Sequence, residues 1–242
     1  DMIYDDSRPN STQTIGWVRS EDSTAPASIL ASENDEDLTM HPKLTRFGID
    51  FDGPTVEPLG NAKVTGKLEI DFYNATATNS REAPRMRHAW LKLGWEEVIL
   101  LAGQREDVIS PLFPVVNADL VMWGAGNLGD RRPQIRPEWS NGMFTVTGMI
   151  GLTGADDAAD LDADGFLDGE DSGLPTLQAR AAVALDGWVE KQKIVVGVWG
   201  HWAKDEVSVP IPGEDEFTTH ADGCDNTLPI CSHVWIKGEA WT

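Results

Sequence analysis

Lys63-Val-Thr-Gly-Lys-Leu-Glu-Ile-Asp-Phe72 alternates without a break. Successive side chains of a strand point to opposite faces, so Val64, Gly66, Leu68, Ile70 and Phe72 share one side. Lys63, Thr65, Lys67, Glu69 and Asp71 share the other. One face is apolar and the other is densely charged.

Outward from this segment the same period recurs. Phe47, Ile49 and Phe51 alternate with Gly48, Asp50 and Asp52. Ala89, Leu91, Leu93 and Trp95 alternate with His88, Trp90 and Lys92. Phe144, Val146, Ile150 and Leu152 alternate with Thr145 and Thr147, and Leu177, Ala179, Ala181, Val183 and Leu185 with Gln178, Arg180 and Asp186. Ile194, Val196, Val198 and Trp202 oppose Lys193 and His201, and a last run spans 234–242. Residues 1–42 are polar and irregular apart from strand-like pieces at 1–6 and 14–18. About eight or nine strands and no amphipathic helix follow, which makes the fold class all-β.

Two architectures alternate in this way, the β-sandwich and the antiparallel transmembrane β-barrel. The strands run to about ten residues, longer than the ~5–6 usual in soluble sheets. Brief connections at Gly53-Pro54 and 187–192 contrast with long ones at 74–84, 107–133, 154–175 and 207–232. Long strands joined alternately by short turns and long loops favour the barrel. Trp17, Trp95, Trp188, Trp202 and Trp241 sit near strand ends, where interfacial girdles place aromatics. The sandwich remains as the alternative: an exported, calcium-stabilised module that binds carbohydrate or mediates surface adhesion.

Composition narrows the partners. The chain has 242 residues and a formal net charge of −21, from 40 acidic and 19 basic side chains. A nucleic-acid partner is excluded, because phosphate binding needs a net basic face. No apolar run approaches the ~20 residues of a membrane-spanning helix. Charge is unevenly placed: residues 81–136 hold eight basic and seven acidic residues, while 156–171 hold eight carboxylates.

Those carboxylates form the sharpest local motif. In Asp160-Leu-Asp-Ala-Asp-Gly-Phe-Leu-Asp-Gly-Glu-Asp171, acids occupy positions 1, 3, 5, 9 and 12 around a glycine at 6. This is the oxygen-ligand spacing of a calcium loop, with Asp160, Asp162, Asp164, Asp168 and Asp171 as ligands and Phe166 offering its carbonyl. Strands flank the segment, so its expected role is to stiffen a long external loop over 155–174. The final ligand is Asp where the motif favours Glu, which points to affinity in the extracellular range, on the order of 10⁻⁴–10⁻³ M.

Cys224 and Cys231 lie in a stretch rich in turn formers. So close together they can close a disulfide ring, the use of cysteine favoured in an oxidising compartment; free thiols are the alternative. Zinc is disfavoured for want of a second ligand pair. No nucleophile elbow, HExxH, P-loop or dinucleotide fingerprint occurs, and His41, His88, His201, His220 and His233 are scattered, so no enzymatic activity is expected.

Several motifs together resemble the DcaP-like family of trimeric outer-membrane porins. They are Leu44-Thr-Arg-Phe-Gly-Ile-Asp-Phe51, Lys67-Leu-Glu-Ile-Asp-Phe72, Pro84-Arg-Met-Arg-His-Ala-Trp-Leu-Lys-Leu93 and Leu101-Ala-Gly-Gln104. Ile109-Ser-Pro-Leu-Phe-Pro114, Trp123-Gly-Ala-Gly-Asn-Leu-Gly129, Arg131-Arg-Pro-Gln-Ile135 and Lys237-Gly-Glu-Ala-Trp-Thr242 complete the set. The likeness is close over roughly 44–154. It implies one barrel domain over 1–242 and about sixteen strands in the whole protein, so the chain is expected to be truncated. It also implies a homotrimer in the outer membrane of a Gram-negative cell envelope, set in lipid and lipopolysaccharide, and passive diffusion of small polar or anionic solutes.

In the resembled porins a long loop folds inward and narrows the pore. Here that constriction loop is 107–133, and the residues expected to line the pore are Arg105, Glu106, Asp107, Asp130, Arg131, Arg132 and Arg136. Arginines facing acids across a constriction set up a transverse field that selects solutes by charge. Inner-wall or trimer-contact ion pairs are the alternative use of the same side chains.

Overall fold

Alternation translates into one antiparallel meander. The computed structural model describes residues 2–5, 37–40, 42–43, 45–72, 83–112, 130–153, 173–189, 191–206, 216–231 and 234–241. Strands β1 (Met2–Asp5) and β2 (Asp37–Met40) pair antiparallel as a separate two-stranded sheet. The rest are β3 (Phe47–Val56), β4 (Ala62–Asp71), β5 (Arg85–Gly94), β6 (Val98–Glu106), β7 (Arg131–Ser140) and β8 (Phe144–Gly151), followed by β9 (Thr176–Asp186), β10 (Lys193–Glu206), β11 (Glu216–Cys231) and β12 (Val234–Trp241). These ten form a single sheet in sequence order. Among the described residues β3 and β12 are not paired, so the sheet is open where a closed barrel was expected. Closure requires strand number, tilt and stagger to agree, and ten strands fall short of the about sixteen that the resemblance implies.

The chain divides into two compact units. The first comprises Asp1–Gly48, Glu69–Met86 and Phe113–Asn127. In it Phe47 meets Phe72 edge-on at 6.0 Å, and Arg85 donates two hydrogen bonds, of 2.9 and 2.7 Å, to the fully buried Asp71. The second unit, Ile49–Leu68, Arg87–Leu112 and Leu128–Thr242, holds most of the sheet.

Segments between strands alternate in length from one end to the other. Residues 57–61, 95–97, 141–143, 187–192 and 232–233 are the short ones; 72–84, 107–130, 152–175 and 207–215 are the long ones. Neighbouring strands are antiparallel, so all short segments belong to one set of strand ends. Local chemistry sets the turns. A 3₁₀ turn at Glu57–Leu59 has Pro58 as its second residue and ends at Gly60, in the left-handed region with φ 68°. The Asn141 side chain accepts from the backbone N–H groups of Met143 and Phe144, at 3.1 and 2.8 Å. Trp95 donates its indole N–H to the Leu59 carbonyl at 2.9 Å, and Trp139 donates to Glu97 at 3.1 Å.

Three expectations need correction. Gly53-Pro54 is no turn; it lies inside β3, where the Phe51 ring covers Gly53. Residues 131–133, read as the end of the 107–133 loop, open the strand β7. Pro133 and Pro137 concealed it, since prolines are confined to edges and irregular positions. The β7–β8 register indeed omits Arg136 and Pro137, the latter having no N–H to give. Finally, 216–231 is a strand rather than part of a long loop, paired with β10 and β12. Its turn-forming residues have other uses: Gly223 leaves room for the Trp199 ring, and Asp225 pairs with Arg180.

The disulfide expectation falls with that loop. Cys224 and Cys231 are seven residues apart on one continuous strand. At ~3.3 Å per residue their α-carbons stand roughly 20 Å apart, whereas a disulfide needs them within about 7 Å. Cys224 is a free, exposed thiol.

Candidate functional site

The second unit carries its polarity inside out. Register aligns Ala102, Ile135, Ile150, Leu177 and Trp202 in one row across five strands. A second row runs Val98, Trp139, Val146, Ala181 and Val198. These apolar side chains are turned outward: Ile135 is 55% exposed, Ile150 53% and Val198 59%. Their polar neighbours in sequence are the covered ones. Gln134, Thr147 and Gln178 are 5%, 3% and 4% exposed.

Pairing explains how the polar face tolerates burial, since buried charge is costly unless matched and hydrogen-bonded. Arg132 grips Asp107 through two hydrogen bonds, of 2.7 and 3.0 Å. Its remaining nitrogen donates to the Leu152 carbonyl at 2.9 Å and to the Thr176 hydroxyl at 3.2 Å. Arg180 holds the buried Asp225 with bonds of 2.9 and 2.6 Å. Gln178 accepts from the Val108 N–H at 2.9 Å and contacts His201 at 3.1 Å. His88 and Glu106 meet at 3.0 Å.

Less covered cations stand on the same face. Arg105 lies over the Trp90 ring, 5.3 Å from its centre, with the Lys92 ammonium 6.0 Å from it. Lys92 pairs in register with Leu101 and Leu101 with Arg136, so Lys92 and Arg136 are two strands, roughly 10 Å, apart. Arg136 approaches Glu138 at 3.5 Å, and Glu138 accepts from Thr147 at 3.3 Å. This face can attract anions from water. Gly103 shapes it: with φ 125°, its α-carbon lies so close to the Ala89 carbonyl that no side chain fits.

The seven expected pore residues therefore divide. Arg105 and Glu106 end β6, and Arg131 and Arg136 lie on β7, all half-buried. Arg132 and Asp107 are buried against each other and face no solvent, so they are structural. The Asp130 carbonyl accepts from the Asp107 N–H at 2.7 Å, and the Asp130 N–H donates to the Asp107 carboxylate at 3.2 Å. Most of the expected constriction segment, 113–129, lies outside the described residues, as do all six calcium positions, Asp160 to Asp171. Among the described residues, no cluster of His, Cys, Asp or Glu is arranged to hold a metal, and no helix is long and apolar enough to cross a membrane. Sequence reasoning passed over Trp90, Lys92 and the Arg180–Asp225 pair as site residues. The parity of 88–95 already placed Trp90 and Lys92 on the polar face, but the separation of 45 residues hid the pair. Compared with protein-family models, curated proteins and solved structures, the chain matches none.

Proposed function

We propose that this chain forms part of an outer-membrane porin of the DcaP-like type, a β-barrel through which small polar or anionic solutes diffuse passively. The observation that carries the reading is the inverted polarity of the sheet. A soluble sandwich buries its apolar faces and wets its polar ones. Here the apolar rows are outside while Gln134, Thr147, Gln178 and the Arg132–Asp107 pair are covered, the arrangement of a strand with lipid on one side and a lumen on the other. The apolar span of β8 and its flank, Phe144 to Leu152, is roughly 27 Å along the strand and about 20 Å once tilted, near the height of an outer-membrane apolar band. Alternating short and long connections, and Trp95, Trp139 and Trp188 at the short-connection ends, fit the same picture. In lipid both open edges need partner strands, because unpaired backbone groups there are costly.

Lys92, Arg105 and Arg136 line the proposed lumen and favour anions. Reconstituted in a planar bilayer under a salt gradient, the intact protein is expected to pass current with an anion-leaning reversal potential. Arg105→Ala with Arg136→Ala should move that potential toward cations; an unchanged potential would remove these residues from the pore. Calcium at Asp160, Asp162, Asp164, Phe166, Asp168 and Asp171, and assembly as a homotrimer, complete the proposal. Asp162→Ala with Asp164→Ala is expected to abolish calcium-dependent protease resistance in 155–174. Resistance that survives the double substitution would end the calcium assignment.

A further inference from the structure

The chain leaving β6 turns onto the polar face of the sheet. Two residues past Glu106, the Val108 N–H donates at 2.9 Å to the side-chain oxygen of Gln178 on β9, three strands away in the sheet order. Gln178 belongs to the polar face, so the root of the long 107–130 connection lies there. Val108, Ile109 and Ser110 are buried, and Ser110 stands in the left-handed region at φ 47°. A residue other than glycine keeps such a conformation only where its surroundings hold it. Arg132 clamps Asp107 at the start of this segment, and Gln178 fastens Val108 next to it.

Gln178 in turn depends on a histidine. Its oxygen is committed to the Val108 N–H, so its amide nitrogen is the atom that meets His201 Nδ1, at 3.1 Å. An amide nitrogen only donates, so Nδ1 must accept and carries no proton. A charged imidazole donates from both nitrogens. A proton on Nδ1 therefore sets two donors against each other, and Gln178 must turn its oxygen toward His201. Val108 then faces the NH2 group and loses its acceptor. Gln178 is only 4% exposed, so water is poorly placed to replace that acceptor. The charged groups on the facing elements are engaged with one another: Arg180 on β9 with Asp225 on β11, and Arg132 on β7 with Asp107. In register His201 stands opposite Gln178 and Ala221, and Gln178 opposite Met149 on β8. We propose that His201 and Gln178 form a proton-operated latch on the root of the 107–130 connection, shut while His201 is neutral and released when it is charged. Histidine makes that change between about pH 8 and pH 5. The consequence for permeation rests on the porin reading: release loosens the root of the segment expected to narrow the pore.

The test follows hydrogen exchange of Asp107 to Leu112 in the full chain in liposomes, as protection relative to the unstructured rate at ~pH 8 and ~pH 5. Wild-type protection is expected to fall about tenfold on acidification, the worth of one buried hydrogen bond. His201→Gln offers Gln178 a neutral acceptor that does not titrate and should keep the protection at both pH values. Gln178→Leu removes the Val108 acceptor and should lower protection at both. Wild-type protection that ignores pH, or a fall that persists in His201→Gln, overturns the latch, as does full protection in Gln178→Leu. Bilayer current separates this inference from the reading it builds on. A conducting chain without pH-linked protection loses the latch and keeps the porin; pH-linked protection in a chain that passes no current does the reverse.

Discussion

Replacing Arg132 by alanine is expected to destabilise the fold by about 3–5 kcal/mol, because it strands a buried carboxylate. Asp107 is 5% exposed and relies on two bonds from the guanidinium. The same substitution also frees the Leu152 carbonyl and the Thr176 hydroxyl, which tie the ends of β8 and β9 to β7. Urea unfolding in liposomes reads the loss directly. The double variant Arg132→Ala with Asp107→Ala should cost less than the two single changes summed, since removing both charges leaves none unpaired. Additive losses would mean that the two groups do not act as a pair.

A lysine at Ile150 should be the second large effect, and it separates the two architectures. Ile150 sits mid-row on the apolar face, between Ile135 and Leu177. At the middle of a bilayer the charge costs about 2–4 kcal/mol in a barrel. On a water-facing surface a substitution at so exposed a position changes stability by no more than about 0.5 kcal/mol. Liposome-reconstituted Ile150→Lys is therefore expected to unfold at markedly lower urea, and an unshifted midpoint would place that row in water.

Period-two patterning made seven of the ten sheet strands legible in the sequence, since each has clean apolar and polar sides. The three missed strands fail for different reasons. In β6 the run Val98-Ile-Leu-Leu-Ala is continuously apolar, with no alternation to mark two faces. In β7 the prolines at 133 and 137 imitate a loop, and only the neighbouring ladder reveals that both stand in register with β6. In β11 the run from His220 to Cys231 is dense in Asp, Asn and Gly, and its strand character depends on Trp199 and Arg180, which come from other strands. Side-chain destinations were less legible than strands. Sequence grouped Arg105, Arg131, Arg132 and Arg136 by charge, yet pairing with Asp107 separates Arg132 from the rest. No local pattern announces which arginine has a buried partner 25 residues away. Net charge was the least instructive quantity: the −21 reflects acidic stretches outside the sheet more than the basic residues arrayed on it.

Everything turns on which face of the sheet meets lipid, and thiol accessibility measures that directly. With Cys224 and Cys231 replaced by serine, single cysteines at Ile135, Ile150 and Val198 would report one face, and at Lys92, Arg105 and Glu138 the other. In liposomes, a charged maleimide is expected to label the Lys92, Arg105 and Glu138 positions while the Ile135, Ile150 and Val198 positions stay protected until detergent is added. Rapid labelling of the Ile135, Ile150 and Val198 positions in intact liposomes would contradict the account.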